Sequence, residues 1–218
     1  MSTDVQDVSS FMVLQEDVCC SEDRRIIRSK KALREAVIEL MEERGFEGFT
    51  VNDLCEQADL NRGTFYNHFR DKDDLLATFE KEVMDDLGIL QDKMKDLNLS
   101  DIVIGQSRGL PLPFLVELFD YLRQEGDFLH AVLGPGGDVG FGPRLRDSVC
   151  THLIQSILHE KYRHDPTVFV NYYVAFFASA YLGIIIRWLE TGMQESSEEM
   201  ARIAMKLLFI KPGEPIRL

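Results

Sequence analysis

The chain has 218 residues, of which 45% are hydrophobic, and a formal net charge of -13. This composition suits one or two globular domains with a hydrophobic core and excludes a chain that is disordered throughout. The acidic total argues against a protein that coats nucleic acid or an anionic membrane by bulk electrostatics.

The charge is distributed unevenly along the chain. Residues 1–23 contain six acidic residues and no Lys or Arg, whereas residues 24–34 contain six basic residues and no acid. Residues 1–22 lack periodicity and predict a mobile acidic tail. The four cysteines form no CxxC pair and no secretory signal is visible, so we expect a reducing cytoplasm. Adjacent Cys19 and Cys20 are expected to be reduced thiols, with a redox switch as the alternative.

Apolar residues at helical spacing begin after this tail. The pattern and the capping residues Thr50, Asn61 and Asp71 predict four helices, over 24–44, 50–58, 62–68 and 71–97. The second and third helices, joined by a three-residue turn, form a helix-turn-helix that is braced by the first helix and the start of the fourth.

The third helix has two faces with different chemistry. Phe65 and Phe69 are four residues apart and share one face. We expect them to form a small core with Leu33, Val37, Val51 and Leu54. The opposite face is left free to contact a ligand.

The free face carries groups suited to DNA. Arg62, Gly63 and Thr64 lie at the end of a recognition helix that meets base edges in a major groove, where Arg62 suits guanine and the Thr64 methyl suits thymine. Glycine lets the backbone approach closely. Phosphate contacts are predicted for Tyr66, Asn67 and His68, which flank these residues. The starts of the second and fourth helices, at Thr50 and Lys72, can also face phosphate, and Arg24 and Arg28 of the first helix would extend this footprint along the DNA backbone.

The second part of the chain is also predicted to be helical. Its helices are expected over 111–125, 127–133, 144–163, 165–192 and 196–209, and no alternating strand pattern is present. The glycine-rich loop Leu133–Pro143 predicts a lid or hinge, because its glycines miss the dinucleotide-binding spacing and it lacks a P-loop lysine. Residues 166–186 carry no formal charge. Their tyrosines and Asn171 favour a core or dimer-interface helix over a membrane span.

Residues 26–83, centred on GFEGFTVNDLCEQADLNRGTFYNHFRDKDDLL, resemble the DNA-binding domain of TetR/AcrR-type transcriptional regulators. The resemblance implies an all-α homodimer with a helix-turn-helix domain over 23–72. A long helix would join it to a ligand-binding and dimerisation domain over 73–218, which dimerises through its last two helices. The family's DNA contacts carry over onto Thr50, Arg62, Gly63, Thr64, Tyr66, His68 and Lys72.

The hypothesis is therefore a cytoplasmic, ligand-responsive repressor that binds a palindromic operator in double-stranded DNA and is released by a small-molecule effector. The segment FLHAVLGPGGDVGFG resembles a Firmicutes subgroup of these regulators, in which some members are coactivators or adaptors. The alternative is thus an adaptor or coactivator that acts through a protein partner. Candidate effector-lining residues are aromatic or polar groups on apolar helices, namely Phe114, Leu118, Tyr121, His130, Tyr172, Phe176 and Trp188.

Other chemistries have less support in the sequence. His152 and His159 are seven residues apart and could bind a metal with His130 or His164, but isolated histidines are usually surface residues, so we predict no metal and no cofactor. No Ser, Cys or carboxylate stands in a recognisable nucleophile or acid-base setting. We therefore predict that the chain is not an enzyme.

Overall fold

A computed structural model describes residues 7–92, 110–157 and 167–208, with side chains from residue 25 onward. Within these ranges the regular structure is helical and contains no strand, which confirms the all-α prediction. The chain divides into two compact units, Met1–Leu76 and Ala77–Leu218. The division falls inside the fourth helix.

The N-terminal unit contains a helix-turn-helix. Its elements are α1 (Asp7–Arg44), a 3₁₀ turn (Phe46–Gly48), α2 (Val51–Gln57), α3 (Arg62–Tyr66) and the start of α4 (Lys72–Asp92). Gly45 has a positive φ of 70°, which ends α1 and turns the chain into the 3₁₀ segment.

The first helix begins earlier than the sequence pattern suggested. It starts at Asp7 and not at Arg24, so most of the stretch predicted to be a mobile tail has a helical backbone. No Gly or Pro occurs between residues 7 and 44, and nothing in the sequence therefore breaks the helix. The weak periodicity of residues 7–22 was mistaken for the absence of helix.

The predicted core of this unit is present. Leu33, Val37, Leu54 and Phe65 are fully buried and Phe69 is 7% exposed. The Phe65 and Phe69 rings lie 5.7 Å apart, centroid to centroid. Val51 is only half-buried. The third helix ends at Tyr66 and not at His68, so Phe69 follows the helix, but the predicted separation of a buried side from an exposed side is confirmed.

The C-terminal unit contains the rest of α4 and six further helices among its described residues. These are α5 (Pro113–Gln124), α6 (Gly126–Leu133), α7 (Phe141–Leu145), α8 (Thr151–Ile157), α9 (Val168–Glu190) and α10 (Ser197–Leu207), with a π segment (Arg146–Cys150) between α7 and α8. α5 packs against α10, while α9 packs against α6, α8 and the π segment.

The helix predicted over 144–163 is different in detail. It begins at Phe141, and Pro143 is tolerated in its first turn because the N–H groups there need no helical partner. A π segment then interrupts the α-helical pattern at Arg146–Cys150. Gln91 of α4 donates to the Ser148 carbonyl in this segment at 2.8 Å. Residues 158–163 lie outside the described residues.

α9 combines a buried side with a wide exposed apolar side. Trp188 and Tyr181 are 2% and 4% exposed, and the Tyr181 hydroxyl donates to the Ala204 carbonyl of α10. Val168, Phe169, Tyr172 and Phe176 are between 68% and 75% exposed. Within the described residues α9 is the one helix long and apolar enough to cross a membrane by length and composition alone, a test that core and interface helices also pass.

Candidate nucleic-acid interface

The outer face of α3 is a compact polar surface. Asn61 caps the helix, its side-chain oxygen accepting from the Thr64 N–H at 2.8 Å. Arg62, Gly63, Tyr66, Asn67 and His68 are exposed and Thr64 is half-buried. The structure therefore brings together six of the residues predicted to contact DNA.

Arg62 and Tyr66 interact along this surface. The Arg62 guanidinium carbon lies 5.8 Å from the centroid of the Tyr66 ring, and Arg62 Nη2 donates to the Tyr66 hydroxyl in a long hydrogen bond of 3.5 Å. Tyr66 itself packs edge-on against the buried Phe65 ring. A fixed aromatic ring thus orients the arginine on the exposed side of α3.

Gly63 has a local role that the sequence did not indicate. A Cβ atom added there would lie 3.1 Å from Asn61 Oδ1, the atom that caps the helix. The absence of a side chain at Gly63 therefore leaves room for the capping oxygen of Asn61, and it also lets another molecule approach the backbone on the outer face of α3. A helix-weakening residue is tolerated because it lies in the first turn.

Thr50 makes a complete capping box with Asp53. The Thr50 N–H and hydroxyl both donate to Asp53 Oδ2, at 2.7 and 2.6 Å, and Asp53 N–H donates back to Thr50 Oγ1. The Thr50 hydroxyl bond, followed by the backbone bond, lowers the pKa of Asp53. The two Thr50 donors that we expected to face phosphate are thus already bonded to a carboxylate.

Lys72 is held inside the N-terminal unit. Its ammonium donates to the Phe46 carbonyl at 2.7 Å and to the Phe49 carbonyl at 3.4 Å, and lies 4.6 and 5.4 Å from the centroids of these two rings. The side chain is 18% exposed and also pairs with Glu47 at 3.5 Å. Lys72 therefore fastens the turn before α2 to the start of α4, a role absent from the sequence interpretation.

The predicted basic extension is only partly described. Arg28 is exposed on α1, as is Arg25 beside it. The Arg24 side chain lies outside the described residues. Of the predicted contacts, α3, Arg28 and the first turns of α2 and α4 all belong to one unit.

The seven predicted effector-lining residues differ in burial. Tyr172, Phe176 and His130 are exposed, whereas Leu118 and Trp188 are buried. Trp188 packs edge-on against Phe119 and donates to the Glu195 carbonyl. Tyr121 is half-buried and donates to Asp86 at 3.1 Å, and Phe114 is half-buried on the same helix. The choice of aromatic residues on apolar helices therefore did not distinguish residues in the core from residues on the surface.

The metal alternative has no geometric support among the described side chains. No group of three His, Cys, Asp or Glu side chains is placed to hold an ion in this part of the chain. His159 and His164, two of the candidate ligands, lie outside the described residues, as do the side chains of Cys19 and Cys20.

Two family models match the chain in succession. Residues 33–78 match "Bacterial regulatory proteins, tetR family", and residues 111–209 match "Transcriptional regulator C-terminal region" of the TetR type. The chain belongs to the TetR family. The N-terminal match covers α2, α3 and the start of α4, and so includes the outer face of α3.

Similar proteins agree with this TetR-family assignment. YxbF of Bacillus subtilis, named an HTH-type transcriptional regulator, is 33% identical over 201 residues; these cover 90% of this chain but 48% of YxbF. The chain therefore spans about half the length of that relative.

Solved structures of transcription regulators share the fold. A TetR regulator from Streptococcus agalactiae matches with a TM-score of 0.53 and 21% identity, over 87% of this chain and 98% of that one. FadR from Bacillus subtilis, solved with stearoyl-CoA, matches with a TM-score of 0.56 and 14% identity, over 82% and 96%. DhaS, named an operon activator, matches with a TM-score of 0.54 and 18% identity, over 83% and 94%.

Proposed function

We propose that this TetR-family chain is a cytoplasmic transcriptional repressor that binds a palindromic operator as a homodimer and is released by a small molecule. The observation that carries the proposal is the two-faced α3. Phe65 of this helix and Phe69 just after it are buried, while Arg62 and Tyr66 are exposed beside Gly63. This arrangement suits insertion of α3 into a major groove, with Arg62 paired to guanine.

The dimer follows from the exposed side of α9. Large apolar side chains that are about 70% exposed are costly in water, and a second copy of the chain would cover them. Small residues Ala175, Ser179 and Gly183 are exposed on the same helix and would let a partner helix approach closely. Two recognition helices would then reach successive major grooves roughly 34 Å apart.

The effector would bind in the C-terminal unit. FadR, which has the same fold, was solved with stearoyl-CoA, so this fold is compatible with an acyl ligand. At 14% sequence identity the similarity shows a shared fold and does not identify the ligand of this chain. Because Tyr172 and Phe176 lie on the exposed side of α9, we assign them to the dimer contact and keep the half-buried Phe114 and Tyr121 as effector candidates. A coupling of ~1 to 3 kcal/mol would lower DNA affinity ~5 to 150-fold.

The decisive experiment is selection of genomic fragments with the purified chain, followed by binding titrations of the enriched site. Arg62→Ala should relax base preference at one position by ~1 to 3 kcal/mol. Arg70→Ala is the matched control, since Arg70 is an exposed arginine that follows α3 and pairs with Asp74. Equal effects of the two variants at all base positions would contradict base recognition by Arg62.

A protein-partner role is the alternative that the acidic surplus favours. Residues 24–72 contain ten bases and nine acids, so the net acidic charge lies outside the helix-turn-helix. An adaptor would enrich no palindrome by itself but would do so in the presence of its partner. The same selection, repeated with cell extract, distinguishes the two functions.

A further inference from the structure

The glycine-rich loop that precedes α7 is tied to α4 by a cluster of three charged side chains. Arg144 Nη2 donates to Glu80 Oε2 of α4 at 2.5 Å and to Asp138 Oδ2 of the loop at 2.9 Å. The Gly140 N–H donates to Asp138 Oδ1 at 2.8 Å. All three charged groups belong to the C-terminal unit, and together they close the loop onto the helix.

The loop is built to allow this closure. A Cβ at Gly137 would lie 2.1 Å from the Val132 carbonyl oxygen, and one at Gly140 would lie 2.9 Å from Arg144 Nη1. Arg144 also lies over the ring of the fully buried Phe141, at 5.6 Å from its centroid. These contacts therefore hold the loop, which the sequence predicts to be a lid or hinge, in the closed conformation seen here.

Glu80 is unusual within this cluster. It is 7% exposed, and its Oε1 atom is buried without a hydrogen-bond partner among the described residues. An ionised carboxylate oxygen in that state costs free energy. In addition, ionised Glu80 and Asp138 would share a single guanidinium, which leaves one net negative charge in the cluster.

A proton on Glu80 removes both problems. It neutralises the buried carboxyl, so that the Asp138 carboxylate and the Arg144 guanidinium balance each other. It also supplies an O–H donor, and the Glu80 and Asp138 side chains are close enough to share a hydrogen bond. Among the described residues, Arg144 and Asp138 are the charged groups that act on Glu80.

We propose that Glu80, Asp138 and Arg144 form a proton-binding latch, which holds the glycine-rich loop closed on α4 when Glu80 is protonated and loosens it when the proton leaves. The ligand of this site is the proton itself. The proposal depends on the geometry of the C-terminal unit and is independent of DNA binding.

The expected titrations agree with this geometry. Burial raises the pKa of Glu80 to about 7, against the opposing charge of Arg144 and with the added effect of the Asp138 charge. Burial also acts to raise the pKa of Asp138, but its bonds from Gly140, Arg144 and Glu80 outweigh burial and lower it. Asp138 is therefore the ionised partner and Glu80 the group that carries the proton.

The sign of the pH dependence follows from these directions. The pKa of Glu80 is higher in the closed loop, at about 7, than its ordinary value of 4.5. Stabilisation by the proton is complete below the ordinary value and is lost as the pH rises through 7. Opening of the loop should thus increase by up to about tenfold per pH unit between pH 5 and 7, and level off above.

Two measurements on the full chain test the latch. Carboxyl-detected NMR of carbon-labelled protein, with the Glu80 signal assigned from its loss in Glu80→Gln, should give a midpoint near pH 7. The second measurement is the hydrogen-exchange rate of the Gly140 amide as a function of pH, corrected for the intrinsic exchange rate. The corrected rate should rise with pH in the wild type and should not depend on pH in Glu80→Gln. Asp85→Asn removes an exposed carboxylate from the same helix and should retain the wild-type profile.

Either of two results overturns the latch. One is a Glu80 midpoint below pH 5 in the wild type. The other is the same pH profile of Gly140 exchange in the wild type and in Glu80→Gln. Since neither measurement uses DNA, failure here is distinguishable from failure of the repressor proposal.

Discussion

At the scale of single residues, a side chain's partners decide what it can contribute to a binding surface. Arg62 is exposed but is oriented by Tyr66, four residues further along α3. Lys72 carries the same charge in the same unit, yet its ammonium is taken up by two backbone carbonyls. Two cations of one predicted interface therefore have different physical roles.

Tyr66→Phe is expected to weaken operator binding by about 2- to 10-fold, because it removes the hydroxyl that accepts from Arg62 while leaving the ring in place. Tyr66→Leu also removes the cation–π contact and should weaken binding further. Fluorescence anisotropy with the selected operator measures both. In an Arg62→Ala background the Tyr66→Phe effect should vanish, and an undiminished effect there would show that Tyr66 acts without Arg62.

Lys72→Met should lower the free energy of unfolding by ~1 to 3 kcal/mol, since it leaves the Phe46 and Phe49 carbonyls without their donor. Lys81→Met is the control: Lys81 lies on the same helix, is 73% exposed and pairs with Asp85 four residues further along. Urea denaturation compares the two. Equal, small losses would mean that the Lys72 contacts add nothing to stability.

Lys72 is also a predicted phosphate contact, and salt dependence tests that second role. If a phosphate displaces Glu47 from the ammonium, Lys72→Ala should weaken all DNA sites alike and lower the salt slope by about one. An unchanged slope together with lower stability would assign Lys72 to positioning the turn before α2.

At the scale of elements, breaks in regular helix mark the places where the C-terminal unit is held together. The glycine-rich loop and the π segment follow each other along the chain and both bond to α4, through Arg144 to Glu80 and through the Ser148 carbonyl to Gln91. These two contacts fix α7 and α8 along α4.

Gly137→Ala should destabilise the C-terminal unit by ~1 to 3 kcal/mol, because its Cβ would meet the Val132 backbone, which cannot swing aside. Gly88→Ala is the matched control inside α4. A Cβ there meets nothing within 4 Å, and the substitution should stabilise the helix by ~0.5 to 1 kcal/mol. Thermal unfolding of both variants gives the comparison, and opposite signs are expected.

At the scale of the whole molecule, the exposed side of α9 presents large apolar side chains that the described residues of a single chain do not cover. The aromatic rings of Phe169, Tyr173, Phe176 and Phe177 contact one another along it. Burying such a surface in a second copy is favourable at roughly 25 cal/mol per Å². We therefore expect the exposed side of α9 to be buried when two chains associate and not when a single chain folds.

Phe176→Glu is expected to shift the chain from dimer to monomer in sedimentation velocity, because it places a charge in the proposed contact while its position is 68% exposed in the single chain. Ile89→Glu is the control, an equally polar change at a 63% exposed position on α4. A dimer that persists in Phe176→Glu would remove α9 from the interface. Circular dichroism checks that both variants remain folded.

Much of the local structure could be predicted because it depends on neighbours along the chain. Helical spacing predicted the buried side of α3, and the predicted capping box at Thr50 is present with Asp53 as partner. The start of α1 was wrong because periodicity was weak there, although no residue in that stretch stops a helix. The helix-turn-helix and the family were within reach of the sequence.

The sequence by itself therefore determined the helical fold, the two faces of α3 and the TetR-type pattern, since these follow from contacts three or four residues apart. Only the tertiary structure decided that Lys72 bonds to a turn 23 to 26 residues away, that Glu80 faces Arg144 across 64 residues, and that Tyr172 and Phe176 point outward. The reason is physical: burial and charge pairing depend on which distant segments meet, and residue type alone does not specify that.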